Sequence, residues 1–425
     1  MTHLLDDLAW RGLIAVSTDL GALREAVDAG PVTLYCGFDP TAPSLHIGHL
    51  MQLMTLRRFQ QAGHRPVALV GGATGLIGDP KPTAERTLND PTVVADWVDR
   101  IRTQVQPFLD FEGTQAAHAA VMANNLEWTA PLSAIELLRD VGRHFRVNKM
   151  IAKEVVSARL NSDEGISYTE FSYQILQSLD FLELYRRYSC TLQIGGSDQW
   201  GNLTAGLDLI HRVEGVSVHA LATPLVTKAD GTKFGKTEGG AIWLDPTMTS
   251  PYAFYQFWLN TDDRDVVRYL KIFSFRSRAE IEALAAAAEE RPAARDAQRA
   301  LAEELTALVH GTGECERVVA ASAALFGRGE LADLDAAILA AALEETGWVK
   351  VPSEPPPTVV DLLSASGLVD SKSAARRVLA EGGAYVNNRK ITDPDAAIGA
   401  ADLLHGRWIV LRRGKRSVAG VQVAE

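Results

Sequence analysis

The chain has 425 residues, of which 47% are hydrophobic and 22% charged, and its formal net charge at pH 7 is −11. This is the composition of a soluble globular protein of two to four domains, and no run of about 18 apolar residues predicts a membrane span. The N-terminus lacks the pattern of a secretory signal, and the three cysteines have neither zinc-site nor disulfide-framework spacing, so a cytoplasmic location is expected.

The most informative stretch runs from Tyr35 to Leu50, where an apolar strand pattern passes through a proline-rich turn into a helix. The helix is predicted to begin near His46 and to end at Gly63. His46 and His49 are three residues apart and therefore share one helix face. Gly48 leaves the backbone open to a flat ligand, and the first turn of a helix favours an anionic phosphate.

The first part of the chain alternates short apolar strands with helical patterns, which predicts an α/β fold with a Rossmann-like parallel sheet. Residues 65–72 form one predicted strand and residues 191–194 another, and each leads into a pair of glycines. Ligands of such sheets bind beyond the carboxyl ends of the strands, so the site is expected there.

A polar stripe follows one face of the next predicted helix, residues 168–180. Tyr173, Gln177 and Asp180 are spaced four and three apart, among many apolar residues. A polar stripe is normally a solvated face, but this one is expected to be half-buried. Because buried polar groups need partners, a ligand could supply them.

Residues 228–237 form a glycine-containing loop that carries three lysines and two threonines. Lys233 and Lys236 could place two point charges on a triphosphate, and the glycines would let the loop approach it closely. A lysine-rich loop is by itself more typical of a solvated surface, so the residues alone leave both interpretations open.

Residues 46–49 and 233–237 together resemble the two signatures of class I aminoacyl-tRNA synthetases, and residues 34–42 resemble the bacterial tyrosyl enzymes in particular. The resemblance implies activation of L-tyrosine by ATP and transfer of the tyrosyl group to tRNA(Tyr). It also implies a homodimer that uses Mg²⁺ with ATP, has no tightly bound cofactor or protein-only metal site, and does not bind membranes.

The resemblance further implies roles for individual residues. In tyrosyl enzymes the counterparts of Tyr35 and Asp180 bind the phenolic hydroxyl, and those of Tyr173 and Gln177 bind the ammonium group; as a class these enzymes reject phenylalanine by about 10⁵. The remaining tyrosine-binding candidates are Asp39, Asp79 and Gln199. The ATP-binding candidates are Cys36, Thr41, Gly48, Gly196, Asp198, Lys233 and Lys236, and the catalytic candidates are His46, His49, Arg86, Lys233, Lys236 and Thr237.

Two features depart from the family pattern. Gln52 stands where the family often has threonine, and the loop after Asp79 is about one residue short, so Lys81 matches less well than Arg86.

The composition predicts four segments. They are residues 1–245, an α-helical segment at residues 246–350, a proline-rich linker at residues 351–357 and a small α+β unit at residues 358–425. The resemblance implies that the first is the catalytic domain and the second an anticodon-recognition domain, and the last resembles a small RNA-binding domain first described in a ribosomal protein.

Charge is unevenly distributed between these segments. Residues 358–425 carry a net charge of +3, so the rest of the chain carries −14. A helix capped by Ser371 or Ser373 is predicted to expose Lys372, Arg376 and Arg377. The resemblance implies that these residues contact RNA phosphates more than bases, whereas the residues alone favour an exposed basic helix without a partner.

Two other interpretations remain. A tryptophanyl-type synthetase shares both signatures but has no use for a tyrosine–aspartate pair directed at a phenol. A non-catalytic RNA-binding relative would have no reason to keep both signature loops.

Overall fold

The computed structural model describes residues 3–81, 85–113, 118–232, 234–237, 240–414 and 417–424, with the backbone only at Glu154, Lys236 and Thr237. Contacts divide the chain into two compact units. The first contains residues up to 248 together with 262–292, and the second contains residues 249–261 and 293 onward. None of the described helices is long and apolar enough to cross a lipid bilayer.

Helices and strands alternate through the first unit and segregate in the second. The helices are α1 (Leu4–Trp10), α2 (Leu20–Ala29), α3 (Ile47–Gln61), α4 (Pro91–Val105), α5 (Leu126–Thr129), α6 (Ala134–Glu136), α7 (Val147–Met150), α8 (Glu154–Leu160), α9 (Tyr168–Tyr188), α10 (Trp200–Glu214), α11 (Pro251–Leu259), α12 (Asp263–Phe273), α13 (Arg278–Glu290), α14 (Asp296–His310), α15 (Thr312–Leu325), α16 (Ala336–Thr346), α17 (Val359–Ala365) and α18 (Lys372–Ala380). The strands are β1 (Val16–Ser17), β2 (Thr33–Phe38), β3 (Arg65–Val70), β4 (Val121–Asn124), β5 (Cys190–Gly196), β6 (His219–Thr223), β7 (Lys236–Thr237), β8 (Gly240–Ala241), β9 (Trp348–Pro352), β10 (Ala384–Val386), β11 (Arg389–Ile391), β12 (Trp408–Arg413) and β13 (Ser417–Ala424).

The first unit is built on a six-stranded sheet in the order β1-β6-β5-β2-β3-β4. Strands β2 to β6 are parallel to their neighbours, and β1 is antiparallel to β6. All but the first residue of β3 are buried, as expected of a parallel strand that is covered on both faces. The predicted α/β fold is confirmed, and the adjacent strands β2, β3 and β5 end at the same edge.

Helices α3 and α9 carry most of the predicted site residues. The N-cap of α3 is His46, and beyond its C-terminus Gly63 has a φ of +94°, which glycine adopts without strain. The N-cap of α9 is Ser167, whose side chain accepts a hydrogen bond from the Glu170 N–H. Both predicted helices are therefore confirmed, and α9 extends further than the predicted 168–180, to Tyr188.

The second unit combines helices α11, α14, α15 and α16 with a five-stranded sheet in the order β11-β10-β12-β13-β9. Helices α17 and α18 share a buried apolar core with this sheet. Strand β9 pairs with β13 in parallel at the sheet edge.

The observed boundaries differ from the predicted ones at two places. Residues 262–292, assigned by sequence to the helical domain, belong to the first unit, where Arg11 and Arg58 donate hydrogen bonds to the Ser274 carbonyl at the end of α12. Residues 351 and 352, assigned to the linker, lie in β9. Its alternation of exposed and inward side chains is typical of a strand, but its proline-rich continuation disguises this.

Candidate active site

The site begins with the carboxylate of Asp39, directly after β2. Its Oδ1 accepts a hydrogen bond from Thr74 Oγ1 at 2.6 Å, and its Oδ2 accepts one from the Tyr173 hydroxyl at 2.6 Å. Burial raises the pKa of Asp39, although these two bonds oppose the rise. A Cβ atom on Gly71 would lie 2.0 Å from Asp39 Oδ1, so the approach of β3 to this carboxylate requires glycine.

Asp180 on α9 lies deeper, with 2% of its surface exposed. Asn125 Nδ2 donates to its Oδ2 at 3.0 Å, and Trp128 Nε1 donates to its Oδ1 at 2.9 Å. Asn125 Nδ2 also lies 2.9 Å from Thr74 Oγ1, so polar contacts run continuously from Asp39 to Asp180. Burial raises the pKa of Asp180 to about 8, against the opposing effect of the two donors.

Tyr35 on β2 is 1% exposed, and its hydroxyl has no hydrogen-bond partner among the described residues. Its ring centroid lies 5.2 Å from that of Phe181. Burial and then the nearby Asp180 carboxylate raise the pKa of Tyr35 well above its usual value, so the phenol is neutral. Gln177 Oε1 is likewise buried without a partner. The Tyr35 hydroxyl and Gln177 Oε1 are therefore two buried polar atoms without a hydrogen-bond partner among the described residues, and the polar groups of a ligand could bind them.

Asp79 forms a second polar cluster, where residues after β3 approach those after β5. Gln199 Nε2 donates to Asp79 Oδ2 at 3.0 Å, and Asn202 Nδ2 donates to Oδ1 at 3.2 Å. Arg86 Nε donates to the Asp79 main-chain carbonyl at 2.8 Å. Burial raises the pKa of Asp79. A cleft of about 360 Å³ lies beside this cluster, and its walls include Asp79, Asn202, Asp198, Gln174 and Lys153.

The two predicted histidines bond to the first turn of α3 and stack at 4.0 Å between ring centroids. His46 Nδ1 accepts a hydrogen bond from the Gly48 N–H at 3.0 Å, and His49 Nδ1 accepts one from the His46 N–H at 3.2 Å. With Nδ1 accepting, each neutral ring carries its proton on Nε2 and is a donor there. Desolvation lowers the pKa of His49 to about 3, so this ring is neutral at physiological pH.

The structure gives a reason for glycine at position 48 that the sequence did not reveal. A Cβ atom at position 48 would lie 2.7 Å from His46 Cε1, so glycine at this position leaves room for the His46 ring.

The two signatures meet although they lie far apart in the sequence. The Ile242 N–H donates to the Gly235 carbonyl at 3.0 Å, and the Ile47 N–H donates to the Ile242 carbonyl at 3.1 Å. Phe234 packs against Tyr269 on α12, with 4.6 Å between ring centroids. Lys233 lies outside the described residues.

The structure describes Lys236 and Thr237 as the backbone of β7, which pairs with β8. Their roles as catalytic residues remain predictions.

Three of the predicted ATP-binding residues differ from one another in their surroundings. Cys36 is 3% exposed, and burial raises the pKa of its thiol to about 12, so it is a neutral group. Thr41 is exposed, and its N–H donates to the Asp39 carbonyl at 2.8 Å. A Cβ atom on Gly196 would lie 2.4 Å from Asp198 Oδ1, so glycine at this position leaves room for the Asp198 carboxylate.

The structure thus brings Tyr35, Asp39, Asp79, Tyr173, Gln177, Asp180 and Gln199 to one edge of the sheet. Sequence reasoning missed Thr74, Asn125, Trp128 and Asn202, which hold three of the carboxylates. Their position after a strand or at the start of a helix was the only available signal.

The predicted basic helix is α18, capped by Ser371. Lys372, Arg376 and Arg377 are all exposed. Lys372 Nζ forms an ion pair with Asp361 Oδ1 at 2.7 Å, which offsets part of its charge. The two arginines are therefore the stronger candidates for phosphate contacts.

Comparison with known proteins agrees with this geometry. Residues 28–327 match the family model described as tRNA synthetases class I (W and Y), and residues 340–419 match the tyrosine–tRNA ligase SYY-like C-terminal domain. A tyrosine–tRNA ligase of Acidothermus cellulolyticus is 72% identical over 425 residues, covering 100% of both chains. One of Streptomyces coelicolor is 69% identical over 424 residues, covering 100% of this chain and 99% of the relative.

Solved structures give the same result. A C-terminally truncated mitochondrial tyrosyl-tRNA synthetase of Coccidioides posadasii is 33% identical with a TM-score of 0.67, covering 75% of this chain and 91% of that one. Its counterpart from Aspergillus nidulans is 30% identical with a TM-score of 0.68, covering 75% and 92%. The high-identity relatives do not favour the tryptophanyl alternative. The chain belongs to the tyrosine–tRNA ligase family of class I aminoacyl-tRNA synthetases.

Proposed function

We propose that this site carries out both steps of tyrosine–tRNA ligation with the residues named above. In the first step a tyrosine carboxylate oxygen attacks the α-phosphorus of ATP, and the bond to pyrophosphate breaks. In the second the 3′-terminal ribose hydroxyl of tRNA(Tyr) attacks the tyrosyl carbonyl carbon, and AMP leaves. The first step needs no side-chain nucleophile, so positioning and charge stabilisation carry the catalysis.

The observation that carries the proposal is the unpartnered, buried Tyr35 hydroxyl near the Asp180 carboxylate. A substrate phenol placed between them would donate to Asp180 and accept from Tyr35. Asp180 already accepts one bond on each oxygen, and each oxygen has a further lone pair. Tyr173 and Gln177 would face the substrate ammonium, with Asp39, Asp79 and Gln199 supplying negative or polar surroundings.

ATP is proposed to lie between the two signatures. His46 and the neutral His49 would donate from Nε2 to phosphate oxygens, and Arg86, Lys233 and Lys236 would stabilise the charge of the departing pyrophosphate. Mg²⁺ is proposed to enter with ATP, as the resemblance to class I synthetases implies. The other contacts proposed for ATP are Cys36, Thr41, Gly48, Gly196 and Asp198, and Thr237 is proposed as a further catalytic residue.

The function is tested by ATP–pyrophosphate exchange with single amino acids. Tyrosine should support exchange, whereas phenylalanine and tryptophan should not. Phenylalanine leaves the buried Tyr35 hydroxyl without a partner and gives Asp180 no third donor, and an unpaired buried polar group is expensive. Equal exchange with phenylalanine would contradict the proposed phenol site, and preference for tryptophan would revive the tryptophanyl alternative.

We expect Lys233→Ala and Lys236→Ala each to slow tyrosine activation about a hundredfold, the usual effect of losing one transition-state contact. Tyrosine affinity should change little, because the charges matter most as pyrophosphate departs. Single-turnover adenylate formation and equilibrium tyrosine binding separate the two effects, and Lys228→Ala in the same loop serves as the control. A loss confined to tyrosine affinity would refute the role.

A homodimer in the cytoplasm is also proposed. Four large apolar side chains within residues 135–160 are strongly exposed, which favours burial against a second copy of the chain. They are Ile135 (69%), Leu138 (53%), Val147 (63%) and Leu160 (48%). Sedimentation should give a dimer, and Ile135→Glu combined with Leu138→Glu should shift it toward monomer. An active monomer at every dilution of the unmodified chain would contradict this.

A further inference from the structure

A buried ion pair joins α8 to α9 beside the site, and none of the roles proposed above uses it. Arg159 Nη2 lies 3.0 Å from Glu170 Oε2, and the two side chains are only 2% and 1% exposed. Removing two charges from water is costly, and apolar residues in place of such a pair are frequently neutral or stabilising. Stability alone is therefore a weak reason for this pair to be here.

Both partners bind the main chain on the two sides of residues 82–84. Arg159 Nη1 donates to the Lys81 carbonyl at 3.0 Å, and its Nε donates to the Gly165 carbonyl at 3.0 Å. Glu170 Oε1 accepts a hydrogen bond from the Arg86 N–H at 3.0 Å. The pair thus fixes where the backbone leaves the Asp79 region and where it returns at Arg86.

The Arg86 side chain is fixed at its other end as well. Its Nε donates to the Asp79 carbonyl at 2.8 Å, and a Cβ atom on Gly78 would lie 3.2 Å from its Cγ and Cδ. Gly78 has a φ of +80°, so this turn suits glycine both in conformation and in space. The Glu170 contact to the N–H and the Asp79 contact to the side chain together determine the location of the guanidinium.

We propose that Arg159 and Glu170 are positioning residues for Arg86 during tyrosine activation. The inference rests on the proposed function, in which Arg86 contacts the pyrophosphate. A guanidinium stabilises a transition state only where the charge develops, and a displacement of about 1 Å can cost about a hundredfold in rate. A carboxylate that accepts from a main-chain N–H forms a charge-assisted bond, which is well suited to hold that position.

The test is a double-mutant cycle in the full chain, with single-turnover formation of tyrosyl-adenylate as the readout. Glu170→Ala should slow activation about tenfold or more and leave the equilibrium Kd for tyrosine within about twofold. In an Arg86→Ala background the same change should alter the rate by less than about twofold, because no guanidinium remains to be positioned. A purely structural role predicts the same loss in both backgrounds.

Loss of one buried charge partner is strongly destabilising, so two further variants accompany the cycle. Glu170→Gln keeps an oxygen that can accept from the Arg86 N–H but loses the charge of that bond. If the alanine variant does not fold, Glu170→Gln takes its place in the cycle, with a smaller slowing that should again be absent in the Arg86→Ala background. Leu184→Ala is the matched control, since it truncates a fully buried side chain on the same helix about 21 Å away along its axis. Its effect should be equal in both backgrounds.

The outcomes separate the inference from the proposed function. Multiplicative effects of Glu170 and Arg86 substitutions would overturn the positioning role while leaving Arg86 its own role. The positioning role would also be overturned if Arg86→Ala slowed tyrosine activation while a folded Glu170→Ala variant activated tyrosine at the normal rate. An Arg86→Ala variant with normal activation would overturn the proposed role of Arg86 and the inference with it.

Discussion

Replacing Asp180 with alanine is expected to lower kcat/KM for tyrosine activation about a thousandfold. Above a pH of about 8, where Asp180 is charged, the substrate phenol loses a charged acceptor and its O–H is left buried and unpaired. The Asn125 and Trp128 donors lose their acceptor with or without substrate, so that loss lowers stability and not kcat/KM. A hydrogen bond to a charged group contributes about 1.5–3 kcal/mol and an unsatisfied buried donor costs about 1–3 kcal/mol, which together give about 4 kcal/mol or more. At 1.4 kcal/mol for each factor of ten, this amounts to about a thousandfold.

Two companions make the Asp180 experiment specific. Asp180→Asn keeps the volume and one acceptor oxygen, so it should be less damaging than alanine and should remain folded. Glu183→Gln makes a carboxyl-to-amide change on the same helix, at a residue that pairs with Arg186 and Arg187 at the surface, and should leave activation within about twofold. Thermal unfolding checks each variant. Normal tyrosine activation by folded Asp180→Ala would remove Asp180 from the site.

Ending the chain after Gly347 is expected to preserve tyrosine activation and to reduce tyrosyl transfer to tRNA about a hundredfold. The cut precedes β9, because β9 belongs to the C-terminal sheet and a cut after Val351 would divide it. Every residue proposed for activation precedes the cut. Removing residues 358–425 takes a net charge of +3 from a remainder of −14, so phosphate contacts should weaken strongly.

The salt dependence of tRNA binding tests the same RNA-binding assignment with single substitutions in place of a truncation. In the full chain, Arg376→Ala and Arg377→Ala should each weaken tRNA binding and lower the slope of log affinity against log salt by about one. Activation should respond to neither. Undiminished charging of tRNA by the truncated chain would refute the RNA-binding assignment.

Much of the fold and several site contacts were accessible from local patterns. The strand ends and the polar face of α9 follow from periodicity and glycine placement, which are local properties, and both signatures were recognised by their resemblance to the family. Thr74 and Asn125 were not accessible, because each becomes important only when β3 and β4 lie side by side and their ends meet Asp39 and Asp180. Non-local pairing carries no signal in a single local window.

The predicted domain limits differ from those of the two compact units for the same reason. Helix α12 has the composition of the helical segment, yet Ser274 at its end accepts hydrogen bonds from Arg11 and Arg58, more than 200 residues earlier. Strand β9 is too short and too close to prolines to be recognised without its partner.

The pairing of β9 with β13 also has a consequence for synthesis of the chain. Trp348 pairs with Gly420, so β9 leaves the ribosome 72 residues before its partner. At a synthesis rate of about 5–20 residues per second, β9 therefore remains unpaired for roughly 4–14 s. Lys350 and Pro352 occupy the exposed face, where a charge and a proline hinder addition of a foreign strand. Lys350 and Pro352, the second of which lies in the predicted linker, are therefore expected to protect the nascent chain from aggregation.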